Sequence, residues 1–374
     1  LGGHNSFEVP MRPYEMGNPE LDAAIRALVS AAGEGENRDL VAELITTALK
    51  LYRDQPDRGE IKLFNTAMKE MRYSSLVFSQ YRNRMKVTVF GSARTQEQDS
   101  DYRLVHDFAR HMAIERGWMV ITGAGPGIME AGNRGAGMEA SFGVNIRLPF
   151  EASANEYIPD QRVINFKYFF TRKLGFVKEA HAFVIAPGGF GTMDEAFELL
   201  TLIQTGKTDI HPIVLLETDG GTYWQTWRTF VEGELLGSGM ISPDDLNLYM
   251  ITSDVEAAAD EICGFYRNYH SQRYVEGRLV LRMNVAPDPE ELERMNDAFT
   301  DIVTKGAIEV IEATPAEVAD DDALECARVS LWFDRRHFGR LRALIDQINK
   351  LDGMGKTTSQ LPTAFNPDGG SDPE

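Results

Sequence analysis

The segment AFVIAPGGFGTMDEAFELLTLIQTG, from Ala182 to Gly206, reads in three parts. Ala182 to Ala186 is a short apolar run with branched and aromatic residues, the length of a buried strand. Pro187-Gly188-Gly189-Phe190-Gly191-Thr192 is a glycine-rich turn. From Met193 the apolar residues Ala196, Phe197, Leu199, Leu200 and Ile203 recur at helical spacing as far as Gly206, a helix stop. Strand, glycine turn and helix start is the geometry in which free backbone N–H groups and the helix dipole meet an anion. Glycines leave no Cβ between backbone and ligand. Thr192 adds a hydroxyl, and Glu195 is expected in the first helical turn, beside whatever the loop holds. Acidic residues favour first turns on electrostatic grounds alone, so a catalytic and a purely local reading of Glu195 both stand at this point.

Working outward, strands and helices alternate. Val87 to Phe90 reads as a strand entering Gly91-Ser92. A helix follows over Asp101 to Arg116, then a strand, Trp118 to Thr122, entering Gly123-Ala124-Gly125-Pro126-Gly127. A helix over Ile128 to Gly137, a strand over Phe142 to Ile146, a short strand at Val163-Ile164 and a helix over Phe166 to Ala180 lead back to the opening segment. Ile213 to Leu216 is a later strand, and helices over Tyr223 to Leu235 and Asp254 to Tyr269 close the pattern. This alternation predicts an α/β fold, a doubly wound parallel sheet of Rossmann-like type. Its ligand edge is the C-terminal ends of the strands. The phosphate-binding candidates are therefore Gly91, Ser92, Gly125, Gly127, Gly188, Gly189, Gly191 and Thr192. The Gly123-x-Gly125-x-Gly127 spacing and its place after the second strand do not fit a dinucleotide fingerprint, which argues against an NAD-dependent dehydrogenase.

PGGFGTMDE, Pro187 to Glu195, resembles the PGGxGTxxE signature of the Lonely-Guy (LOG) family of nucleotide phosphoribohydrolases, many of which carry the older label "lysine decarboxylase-like". Arg172-Lys173, on the preceding helix, resembles the family's Arg-Lys pair. TGAGPGIMEAGNRGA, Thr122 to Ala136, is similar to its first glycine motif, and GVNIRLPFE, Gly143 to Glu151, to a segment of bacterial members. Glu130 stands where the plant-type pattern has glycine. The resemblance covers roughly Lys86 to His270. It implies hydrolysis of the N-glycosidic bond of a nucleoside 5′-monophosphate, AMP-like or a cytokinin riboside 5′-monophosphate, with Arg172 and Glu195 as the catalytic pair. It also implies at least a homodimer with its helices forming the interface. No metal cluster is evident in the sequence, and neither a metal nor a cofactor is expected.

The chemistry of the residues runs the same way. Departure of a base from ribose leaves an oxocarbenium-like sugar, which needs an anion nearby and a held phosphate. Glu195 can supply the anion or orient water, and Arg172 can bridge phosphate and carboxylate. Nothing marks a lysine for a pyridoxal phosphate Schiff base. The rival reading is a non-catalytic nucleotide-binding regulator built on the same loops.

The flanks complete the plan. The chain has 374 residues, a hydrophobic fraction of 43% and a formal charge of −19. That acidity disfavours nucleic acid polymers and anionic membranes as partners, while a local ring of N–H groups can still hold a small phosphate. No apolar run reaches membrane length, no signal peptide is visible, and the chain begins without Met, which reads as processing or trimming. Two cysteines, Cys263 and Cys326, without metal spacing fit a reducing, cytoplasmic setting. Residues 1–84 read as an arm and a helical cap, with Leu40, Val41, Leu44, Ile45 and Leu49 as an apolar stripe and Phe64, Met68, Met71, Leu76 and Phe78 available for burial. Residues 85–274 read as the catalytic domain, and 275–352 as a small α+β unit, ferredoxin-like or ACT-like, with a β-α-β-β-α order. Residues 353–374 read as a disordered tail. Removal of everything from Arg278 onward is expected to leave the chemical site intact.

Overall fold

The computed structural model describes residues 14–35, 37–147, 154–351 and 361–362. Most of the expected arm, residues 148–153 of the loop after Arg147, and all of the expected tail except Leu361 and Pro362 lie outside the described residues. Two compact units divide between Lys69 and Glu70. The first holds α1 (Pro19–Ala32), α2 (Arg38–Arg53) and the beginning of α3 (Arg58–Ser79). Asn18 caps α1, its side chain accepting from Glu20 N and Leu21 N, while Asn37 makes no such bond to α2. The expected stripe on α2 is largely open: Leu40, Val41 and Leu44 are exposed, as are Phe64 and Met68 on α3.

The second unit opens with the end of α3 and contains β1 (Lys86–Phe90), α4 (Ser100–Ile114), β2 (Met119–Thr122), α5 (Ile128–Ala136), β3 (Ser141–Ile146), β4 (Val163–Phe166), α6 (Phe169–Glu179), β5 (Ala182–Ile185), α7 (Phe190–Gln204), β6 (Ile213–Leu216), α8 (Tyr223–Phe230), β7 (Met250–Thr252) and α9 (Val255–Phe265). The seven strands are parallel and ordered β4-β3-β2-β1-β5-β6-β7. Every residue of β1, β2, β5 and β6 is buried, which is why these strands read as apolar runs rather than alternating ones. Val87 and Val89 of β1 join the core with α4, α5 and α9. Phe90 joins the core on the other face, with Phe176 of α6 and Leu199 and Ile203 of α7. The order reverses between β1 and β5, and that reversal is the crevice in which open α/β sheets hold ligands.

A second sheet follows: β8 (Tyr269–Val275), β9 (Arg278–Met283), α10 (Pro289–Ala298), β10 (Glu309–Ile311), α11 (Pro315–Ala319), β11 (Ala327–Leu331) and α12 (Phe338–Ile348). Its order is β10-β11-β9-β8, all antiparallel. The unit is α+β as expected, but its sheet begins one strand earlier, with β8, of which Tyr269 reads from sequence as the end of a helix and the remainder as no element. His270, Ser271 and Gln272 of β8 are buried polar residues, so the strand lacks the apolar alternation that announces one. The two sheets share a core. Leu279, Leu281, Phe338, Leu341 and Leu344 belong to the same apolar cluster as Phe183, Ile185 and Leu215.

Candidate active site

The loops leaving β1, β2 and β5 are tied together by their backbones. Ser92 N donates to Pro187 O at 3.1 Å, and Ile128 N donates to Ser92 O at 3.0 Å. Close approach requires glycine at two of the predicted positions. A Cβ on Gly91 would lie 2.4 Å from the Ile128 side chain, and one on Gly127 would lie 2.4 Å from Ser92 O, at a φ of +68°. Gly91, Ser92 and Gly127 thus brace the loops. The Ser92 amide and carbonyl are both engaged, and its hydroxyl accepts from Arg94 N at 3.1 Å.

The glycine turn after β5 is shorter than its sequence suggests. Helix α7 starts at Phe190, with Gly189 as a cap that has no side chain to offer the helix. The amides of Phe190, Gly191 and Thr192 therefore head a helix whose first N–H groups have no intrahelical acceptor. A Cβ on Gly189 or Gly191 would meet nothing within 4 Å. Gly188 differs: a Cβ there would lie 2.1 Å from Thr192 Oγ1. Because the helix begins earlier, Glu195 sits in its second turn, and the first turn has no acidic residue. The local electrostatic reading of Glu195 is weakened accordingly.

Glu195 is 8% exposed. Burial pushes its carboxyl up to about 7, against the pull of Arg172 and Lys173, with Glu198 and Asp194 adding to the rise. Arg172 reaches the loops from α6. The start of α6 is held by the Glu70 carboxylate, which accepts from Lys167 N and Thr171 Oγ1, each at 2.7 Å. Arg172 Nε donates to Val144 O at 2.9 Å. Its guanidinium lies 5.0 Å from the Phe176 ring centroid and over Gly123, where a Cβ would come 2.4 Å from Nη2. Lys173 points instead at α7, with Nζ 2.8 Å from Asp194 and 2.6 Å from Glu198.

Two residues enter the site that sequence reasoning missed. Met129 packs over the β2 loop, its thioether 2.7 Å from the Cβ position of Gly123 and its methyl 2.7 Å from that of Gly125. Its place in the first turn after a glycine loop was the available signal. Asn155 donates through its backbone to Ala124 O at 2.9 Å and through Nδ2 to Gly125 O and Asn133 Oδ1. It comes from a loop without pattern, and nothing in the sequence marks it. Arg172 and Met129 thus converge on Gly123, Arg172 acts electrostatically on Glu195, and Gly189 and Gly191 open onto free space. Among the described residues no group of three potential ligands could hold a metal, and no helix is long and apolar enough to cross a membrane.

Residues 123–262 match a family model described as "Possible lysine decarboxylase". A probable cytokinin riboside 5′-monophosphate phosphoribohydrolase of Oryza sativa subsp. japonica is 31% identical over 103 residues, 27% of this chain and 46% of that protein. A cytokinin riboside 5′-monophosphate phosphoribohydrolase of Arabidopsis thaliana is 39% identical over 74 residues, 19% of this chain and 31% of that protein. The match thus spans less than half the length of either relative. Among solved structures, a molybdenum cofactor binding protein from Rippkaea orientalis is similar at 20% identity, covering 48% of this chain and 96% of that one, with a TM-score of 0.35. The family match runs from Gly123 in the β2 loop into α9.

Proposed function

We propose that this chain hydrolyses the N-glycosidic bond of a nucleoside 5′-monophosphate, AMP-like or a cytokinin riboside 5′-monophosphate, releasing free base and ribose 5-phosphate. The observation that carries this reading is a buried carboxylate, Glu195, one turn beyond an open helix N-terminus and under the field of Arg172. The phosphate is held by the amides at the start of α7, with the guanidinium of Arg172 as the cationic partner. The ribose then lies over Glu195. The bond from C1′ to the base nitrogen breaks, the electron pair leaves with the base, and positive charge develops at C1′. The Glu195 carboxylate stabilises that charge and takes a proton from the attacking water, whose oxygen forms the new bond to C1′. The departing base takes up a proton from the site or solvent. Met129 supplies apolar surface on the side of the β2 loop, suited to the flat face of a base.

Lysine chemistry fits less well. A Schiff-base lysine works through a lowered pKa. Burial opposes the charge on Lys173, but its bonds to Asp194 and Glu198 dominate, and its pKa is raised. Burial lowers the pKa of Lys86 to about 8. That residue starts β1, at the opposite end of the strand from Gly91.

The same loops would serve a binding protein without turnover, and release of base separates the two readings. Purified protein incubated with a panel of nucleoside monophosphates should liberate base, with Glu195→Gln as the control against contaminating activity. Equal release by that variant, or none by the wild type across the panel, would remove the enzymatic reading. The exposed apolar residues Phe169, Phe170 and Leu174 of α6 and Phe197 of α7 are the surface we assign to a second copy of the chain. Light scattering on the purified protein tests that assignment.

A further inference from the structure

The glycine turn after β5 presents two successive carbonyls to protein donors. Pro187 O accepts from Ser92 N at 3.1 Å. Gly188 O accepts from the Tyr223 hydroxyl at 2.7 Å. In a trans peptide the C=O and the following N–H point in opposite directions. A donor that holds the Gly188 carbonyl therefore fixes the direction of the Gly189 N–H, and Ser92 does the same for the Gly188 N–H. Gly189 faces open space and caps α7. The amide that Tyr223 turns is thus the one immediately before the amides of the helix start.

Tyr223 is itself firmly placed. Both oxygens of the Glu217 carboxylate cap α8, accepting from Tyr223 N at 2.8 Å and Trp224 N at 3.0 Å. Glu217 follows directly on β6, so the aim of the hydroxyl is set by a strand of the central sheet. Gly221 makes room for this carboxylate, since a Cβ there would lie 2.3 Å from its carbon. The Tyr223 ring packs edge-on against the fully buried Trp224, with centroids 4.8 Å apart. Without the hydroxyl, the Gly188-Gly189 peptide would lose the donor that holds its carbonyl, and glycine on both sides allows it to rotate.

We infer that Tyr223 is a positioning residue for phosphate binding, aiming the Gly189 amide at the anionic monoester of the substrate. This rests on the phosphate-anchored reading above. Phosphate is held alike in the ground state and the transition state, so loss of the tether should act on KM rather than on turnover. The test is Tyr223→Phe, which keeps the ring and its packing. We expect KM for AMP and the Kd of ribose 5-phosphate, measured by calorimetry, to rise together about 5- to 10-fold, the scale of one neutral hydrogen bond. Turnover at saturation should stay within about 2-fold and the melting temperature within a few degrees. Unchanged Kd and KM in the variant would overturn the positioning role alone. A loss of turnover at constant Kd would also overturn it, since the tether would then serve the chemical step. Absence of ribose 5-phosphate binding by the wild-type protein would instead overturn the phosphate-anchored reading, and this inference with it.

Discussion

Glu195 carries two consequences that can be separated by pH. Its carboxyl titrates near 7 instead of 4.5 because burial disfavours the charge more than Arg172 and Lys173 favour it. If the ionised form stabilises C1′, kcat/KM should fall as pH drops below about 7, tenfold per pH unit well below that value. A profile flat from pH 5 to 8 would contradict the assignment. The stability effect has the opposite sign. The folded protein binds this proton more tightly than the unfolded chain, so stability declines as pH rises from 4.5 through 7. Glu195→Gln should abolish that decline and raise stability at pH 8, on the order of 3 kcal/mol by the size of the shift. The same variant should lose about a hundredfold or more in turnover while nucleotide affinity changes only a few-fold. Paired denaturant melts and single-turnover assays at pH 8 would expose a variant that is neither more stable nor less active.

At the scale of the element, the glycines of the three loops divide into two kinds, and substitution should tell them apart. Gly127 has a left-handed φ and no space beside Ser92 O, so Gly127→Ala should cost about 1–3 kcal/mol of stability and disturb the brace between the β1 loop and α5. Gly191 lies inside the first turn of α7 with open space where a Cβ would go. Gly191→Ala should leave the melting temperature unchanged or slightly higher, since alanine favours the helix, yet raise KM because the methyl enters the space assigned to the phosphate. A Gly191→Ala enzyme with wild-type KM would place the anion elsewhere. The sequence could not make this division. It marked Gly127 and Gly191 alike as ligand contacts, while the difference between them lies in what faces each one across the chain. The helix boundary was misplaced for a related reason. Gly-Phe-Gly-Thr reads as a loop because glycine punctuates, but a glycine cap needs no side chain, and the turn closes at Phe190. The strands around it were legible because complete burial leaves them continuously apolar, and Arg172 and Glu195 could be put forward because their motifs are local. Met129, Asn155 and Tyr223 act on loops distant in sequence, so no local pattern announces them.

For the whole molecule, the decisive feature is the core shared by the two sheets. From sequence, the chain beyond Arg278 reads as separable, since no catalytic candidate lies in it. Its folded position argues otherwise. Phe338 of α12 sits against Gly206, just past the end of α7, where a Cβ would be 2.1 Å from its ring. The Asn349 side chain accepts from Asn268 N and Tyr269 N, each at 2.9 Å, and donates to Phe265 O at 2.7 Å. A cut at Arg278 would strand β8 without its partner β9 and remove Leu279, Leu281, Met283, Val329, Leu331, Phe338, Leu341, Leu344, Ile345 and Ile348 from one core. Burial of each such side chain contributes about 1.5–3 kcal/mol, and a folded domain is stable by only about 5–15 kcal/mol in total. Deletion of residues 278–374 should therefore abolish cooperative folding of the central sheet, active site included. Circular dichroism melts and size-exclusion chromatography of the truncated chain would show it. A soluble truncation with a sharp thermal transition and wild-type base release would mean that the shared core is dispensable and that the central sheet closes its own exposed face.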